Sequence, residues 1–169
     1  MTAVVLALGS NLGDRRDILQ GAVDAIVGLP GVRVTALSPV YETVPVGGPA
    51  QPDYLNAVVL ADAARPAREL LDRLHEIEAA FDRVRLLRWG PRTLDIDIIV
   101  FDSERSDDPE LTLPHPRAHE RAFVLAPWRD VDPDAALPGH GPVAGLLAKA
   151  DRSGLRRSNL SLVIPEGMP

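Results

Sequence analysis

The sequence predicts an α+β fold of the ferredoxin-like kind, a βαββαβ core in which helices pack on an antiparallel sheet. Three observations lead there. Strand-like apolar runs and helix-period stripes succeed one another in the order β-α-β-β-α-β. Breaks rich in Gly and Pro separate them. The 169 residues suffice for a single domain spanning 1–169, and no internal repeat divides them.

Residues 3–8 (AVVLAL) make the first strand, ended by Gly9 and Ser10. They are strand-length and lack a basic flank, so they are not a secretion signal. A helix follows from Asp14, with Ile18, Leu19, Ala22, Val23 and Ile26 on one face, and Leu29-Pro30-Gly31 stops it. Residues 32–44 hold two β-prone pieces, VRVTAL and VYETV, broken at Ser38-Pro39. Residues 45–53 carry too much Pro and Gly for regular structure, and 54–61 form the next strand. Pro66 suits the first turn of a second helix, whose stripe is Ala67, Leu70, Leu71, Leu74, Ile77 and Phe81. Glu78 falls inside that stripe and His75 on its edge, so the carboxylate must find a partner. After a loop at 83–93 comes the strand 95–101. A polar link, a short extended piece and a short helix are expected before residue 128. A last helix is expected at 142–151, then a weakly ordered tail at 155–169.

Composition excludes several classes. There is no cysteine, which removes disulfides, thiolate chemistry and Cys-ligated zinc and is compatible with a cytoplasmic protein. A net charge of −6 argues against a general nucleic-acid-binding surface. No apolar run reaches membrane-spanning length. A monomer is expected. Of the 18 basic residues all but Lys149 are arginine, the side chain suited to bidentate phosphate contacts.

The chemistry concentrates in residues 88–101, RWGPRTLDIDIIVF. A strand alternates its faces, so Asp95 and Asp97 point the same way with Cα atoms about 6.5–7 Å apart. Ile96, Ile98 and Val100 should share one face, and Ile99 and Phe101 should continue the aspartate face. The loop before the strand holds Arg83, Arg85, Arg88 and Arg92 and no acid. Cations beside a metal-binding pair suit phosphoryl-type transfer, where the protein positions and neutralises phosphate oxygens. A short Asp-x-Asp is by itself usually a solvated pair. Here it opens a strand that is apolar on both faces, where acids need a cation or metal. Trp89 with Gly90-Pro91 suits a lid more than a plain charged turn.

The other motifs weigh less. No G-x-x-x-x-G-K-[ST] exists, so a Walker-type site is out. Gly9 to Gly13 fits a strand-to-helix turn better than a phosphate loop. His115 and His119 have zinc-chelating helical spacing, but Pro114 and Pro116 flank His115 and no third ligand is evident. Tyr54, Asn56 and Phe123 suit either a core or an aromatic slot with an amide edge for a flat heterocycle.

Five segments then stand together: LGSNLGD at 8–14, YET at 41–43, QPDYLNA at 51–57, RWGPRTLDIDIIVF at 88–101 and LTLPHPRAHERAFVLAP at 111–127. In these the chain resembles the 6-hydroxymethyl-7,8-dihydropterin pyrophosphokinases of folate biosynthesis. The resemblance implies transfer of pyrophosphate from ATP to the pterin hydroxymethyl oxygen, with AMP released. It implies two Mg²⁺ ions on Asp95 and Asp97, with Arg83 and Arg92 in the catalytic group. Thr43, Val46, Gly47, Tyr54, Asn56 and Phe123 match the pterin pocket. His75, Glu78, Arg85, Trp89, Ile98, Thr112, His115 and Arg121 match the nucleotide and phosphate side, Trp89 on the loop that covers the substrates. Three positions depart from the family pattern: His75 for a frequent glutamine, Glu110 for an arginine in some members, and Pro116 for an aromatic. Two rival readings are a two-metal nucleotidyltransferase, which would release pyrophosphate, and a non-catalytic nucleotide-binding ferredoxin-like module.

Overall fold

A computed structural model of the chain describes residues 1–11, 13–44, 52–82 and 94–166. The core elements are β1 (Thr2–Ser10), α1 (Arg15–Val27), β2 (Val32–Leu37), β3 (Tyr41–Thr43), β4 (Tyr54–Ala63), α2 (Ala67–Asp82) and β5 (Asp95–Phe101). β4 pairs antiparallel with β1 along one side, and β1 pairs antiparallel with β5. On its other side β4 takes β2 along 59–63 and β3 along 54–56. This is the predicted ferredoxin-like sheet, with its second strand split at Ser38-Pro39. The break follows from proline, which has no N–H for the ladder. Ser38 bridges it, because its N–H donates to Val58 O at 2.9 Å and its Oγ accepts from Val58 N–H at 2.7 Å.

Each face of the sheet buries its own core. Under α1 and α2 lie Leu6, Leu8, Leu19, Ile26 and Leu74, all nearly inaccessible. Each such side chain contributes about 1.5–3 kcal/mol on burial. Asp14 caps α1 by accepting from Asp17 N–H at 3.1 Å, satisfying one of the orphan amides of the first turn. The opposite face is covered by α3 (Ala122–Val131) and α4 (Val143–Lys149), over Val58, Ile99, Leu125, Trp128 and Leu147. Tyr41 joins that side, its hydroxyl donating to Asp130 on α3, and burial first, then that bond, pushes the phenol up to about 12.

Three expectations are corrected. First, β5 does not alternate to its end. Val5 pairs with Val100 but Leu6 with Ile98, so Ile99 is an extra residue, a β-bulge. Val100 therefore turns to the aspartate face and Phe101 to the α1–α2 core, the reverse of strict alternation. Second, the polar link contains a strand: β6 (Ser106–Asp108) forms a hairpin with the expected extended piece, β7 (Leu111–Leu113), with Asp108 accepting from Glu110 N–H at 2.9 Å. Third, the chain after 155 is no loose tail up to residue 166. Leu155–Arg157 form β10, after the small β8 (Ala136–Leu137) and β9 (Gly141–Pro142) pair, and β10 pairs with β3. Beyond it, Gln20 exchanges two hydrogen bonds with the Val163 backbone, and Leu162 reaches the α1–α2 core.

Candidate active site

The site is built on the sheet face that carries α3. Register decides its floor. Gly9 lies opposite Asp95 on β5 and opposite Asn56 on β4, and Asn56 lies opposite Tyr41 on β3. Ala7 lies between Asp97 and Val58 in the neighbouring row. The strand between the acids and the amide thus presents its two smallest side chains. Two strand spacings put Asn56 and Asp95 Cα atoms about 9.5 Å apart, with no bulk between. A Cβ on Gly9 would come within 3.2 Å of Asn56 Oδ1, so glycine is what keeps this row open.

Asn56 is 5% exposed, and its orientation is set by Thr43, whose Oγ1 accepts from Asn56 Nδ2. The amide oxygen remains an acceptor. Tyr54 stands two residues along on the same face of β4, paired with Thr43. Phe123 comes from the first turn of α3, with the Arg121 guanidinium 5.6 Å from its ring centroid. These side chains line a cavity of about 630 Å³ that also reaches Asp95 and Asp97.

A second cavity, of about 590 Å³, wraps the outer edge of β5. Its walls include His75 and Glu78 from α2, Ile98 from β5, and Glu110, Thr112, His115 and Pro116. Asp95 and Asp97 line this cavity too. An edge strand needs partners for its outward backbone groups. Glu78, 8% exposed, supplies one by accepting the Ile96 N–H at 2.9 Å. His115 supplies another, its N–H donating to Ile99 O at 2.9 Å at the bulge. Those two bonds fix the β5 edge on either side of Asp97. The His115 ring is held below the usual histidine range, by burial first and then by Arg121 and Arg117 against the opposing pull of Asp97. Its Nδ1 accepts from Arg117 N–H at 3.2 Å, so the neutral ring carries its proton on Nε2, as a donor suited to an anionic oxygen.

The sequence-predicted residues thus divide. Thr43, Tyr54, Asn56 and Phe123 meet in the first cavity, and His75, Glu78, Ile98, Thr112 and His115 in the second. Arg121 lines the cavity of Asn56 and Phe123, which Asp95 and Asp97 also line. Glu110 and Pro116, two of the departing positions, line the other. Val46, Gly47, Arg83, Arg85, Trp89 and Arg92 lie outside the described residues. His115 and His119 do not share a helix, since only 118–120 form a 3₁₀ turn, and His119 instead stacks on His140 at 4.2 Å. Sequence reasoning missed Gly9, Arg117, Glu120 and the 151–155 segment of the first cavity. For Gly9 the sequence offered only a glycine closing a strand, which the turn that follows explained equally well.

The sequence profile of the 7,8-dihydro-6-hydroxymethylpterin-pyrophosphokinase family (HPPK) matches residues 5–133. The chain belongs to this family. The pyrophosphokinase of Methylorubrum extorquens, named for 2-amino-4-hydroxy-6-hydroxymethyldihydropteridine, is 44% identical over 93% of this chain and 99% of its own. The enzyme of the same name from Mycobacterium leprae is 46% identical over 100% of this chain and 95% of its own. A crystal structure of Plasmodium falciparum HPPK-DHPS with pteroate shares the fold, with a TM-score of 0.70 at 16% identity over 92% of this chain. This chain spans 46% of that longer one. As a pyrophosphokinase of the HPPK family, the protein is an ATP-dependent diphosphotransferase of folate biosynthesis that acts on 6-hydroxymethyl-7,8-dihydropterin. Among the described residues, no helix is long and apolar enough to cross a membrane.

Proposed function

We propose that the two cavities divide the reaction, the pterin occupying the one with Asn56 and Phe123 and the ATP phosphates the one with His115 and Thr112. One observation carries this: Asp95 and Asp97 belong to both cavities and form the border between them. Pyrophosphoryl transfer needs the attacking hydroxyl and the β-phosphorus to meet at one point, and the shared pair marks it. The pterin ring lies between Tyr54 and Phe123, with Asn56 on its amide edge. Arg121 stands at the ring side of the border, where it can face the transferred group. His115 donates from Nε2 to a phosphate oxygen. By the family resemblance alone, Arg83, Arg85, Arg92 and Trp89 are assigned to the phosphate side and Val46 and Gly47 to the pterin side.

Asp95 and Asp97 fit Mg²⁺, which takes one or two carboxylates and fills its shell with water and substrate phosphates. Among the described residues no group of three or more potential ligands gathers, and water with substrate phosphates would complete the shell of an ion here. Bound there, two Mg²⁺ ions would neutralise charge on the phosphate oxygens and hold both substrates together. On this reading residues 1–169 act as one cytoplasmic domain and as a monomer.

The test is to incubate the protein with ATP, Mg²⁺ and the hydroxymethyl-dihydropterin and identify the nucleotide product. AMP should appear in step with the pterin pyrophosphate. ADP, or free pyrophosphate as the direct product, would exclude this reaction. Two variants probe the pterin cavity. Phe123→Ala should weaken pterin binding by about 1–3 kcal/mol, the range for losing one stacking face, with far less effect on Mg-ATP. Equal losses for both ligands would make Phe123 plain core. Gly9→Ala should raise the pterin KM by about tenfold through displacement of Asn56, with the ATP KM unmoved. An unchanged pterin KM would show that the row tolerates a methyl group.

A further inference from the structure

We infer that the C-terminal segment Asp151–Arg157 is a positioning element for the pterin half of the site. The inference rests on the pterin occupying the cavity of Asn56. Asp151, Ser153 and Leu155 line that cavity directly. The turn that presents them is built, not loose. The Asp151 carboxylate accepts from Ser153 N–H at 2.9 Å, and Gly154 adopts φ +73°, a left-handed conformation suited to glycine.

The larger contribution is to β3. That strand has three residues and pairs with only the first three of β4. On its other side it relies on β10. Val44 N–H donates to Gly154 O at 3.1 Å, and Ser158 N–H donates to Val40 O at 2.9 Å. These bonds flank the Arg156–Glu42 pair by two residues on each strand, which makes it a hydrogen-bonding pair of the antiparallel ladder. The Arg156 guanidinium also bonds Glu42 and lies 3.6 Å from the carboxylate of Asp53. It therefore ties β3 to the residue that leads into Tyr54 and Asn56. Thr43, which holds the Asn56 amide, sits opposite Leu155. Removing β10 would free the strand on which Asn56's orientation depends.

Sheet order makes the effect selective. β10 lies at one edge and β5, with both aspartates, at the other. A disturbance at β10 reaches the pterin cavity through β3 and β4 but meets no wall of the phosphate cavity.

The experiment varies both substrates in initial-rate assays of the full chain. Arg156→Pro removes a ladder N–H and both carboxylate contacts. Arg156→Lys keeps the N–H and a cation. Gln20→Ala cuts the two Val163 hydrogen bonds downstream and one to Asp24 within α1, away from the β10–β3 ladder, and serves as control. Arg156→Pro should raise the pterin KM about tenfold while the ATP KM stays within about twofold. Arg156→Lys should recover most of the loss, and Gln20→Ala should lower the melting temperature without moving either KM. A wild-type pterin KM in Arg156→Pro overturns the inference. So does an equal rise in both KM values, which would make the segment merely structural. If Arg156→Pro does not fold, Gly154→Ala decides the matter, because its Cβ would meet Val44 Cβ at 3.1 Å in a strained backbone, and the same split is expected. Absence of AMP from the wild-type enzyme would instead refute the assignment of the site, so the two failures are distinct.

Discussion

Asp97→Asn is expected to lower turnover by about a hundredfold or more while the far-UV CD spectrum stays native. The substitution keeps the shape of the side chain and removes the charge. An amide is a poor ligand for a hard cation, and it neutralises no phosphate charge. The fold should tolerate the change, because Asp97 lies on the cavity face of β5 and the strand is held by its ladder to β1. Asp95→Asn should act in the same direction, since that residue borders the same two cavities. The measurement is steady-state turnover at saturating Mg-ATP and pterin, with CD on the same samples. Near-wild-type turnover in either variant would remove that residue from the mechanism. A lost CD signal would show that the pair is needed for folding instead.

Glu78→Ala is expected to have the largest effect on stability among changes near the site. Glu78 is buried and accepts the Ile96 N–H. Truncation removes the partner of that buried amide, at a cost of about 1–3 kcal/mol. For a domain of this size each kcal/mol lowers the melting temperature by about 2–4 °C. Activity should fall as well, because Ile96 lies between the two aspartates and its amide anchors the strand that aims them. Glu78→Gln keeps a carbonyl oxygen in place of the carboxylate, so it should be clearly more stable than the alanine variant. Thermal melts of the two variants beside the wild type check this. Equal stability of Glu78→Ala and wild type would show that the hydrogen bond is replaceable by water.

What the sequence by itself determined is local. Alternation along a strand places Asp95 and Asp97 on one face whatever that strand pairs with. The helical stripe of α2 requires a partner for Glu78 before the partner is known. The order of the elements and the break at Ser38-Pro39 follow from the same short-range rules, because period, proline and glycine act within a few residues. The family-matching segments added the reaction itself.

Tertiary structure alone decided the rest. The row Asp95–Gly9–Asn56–Tyr41 joins four strands far apart in the chain, and register is set by the summed burial of both sheet faces. The bulge at Ile99 left no mark in the sequence, since Ile98-Ile99-Val100 is apolar throughout and either register buries it. Arg121 lies at the cavity of Asn56 and Phe123 because α3 starts over that face of the sheet. The strand at 155–157 was invisible for a similar reason. Leu155-Arg156-Arg157 is short and charged, with no alternation to show, and becomes a strand only because β3 offers it an unpaired edge.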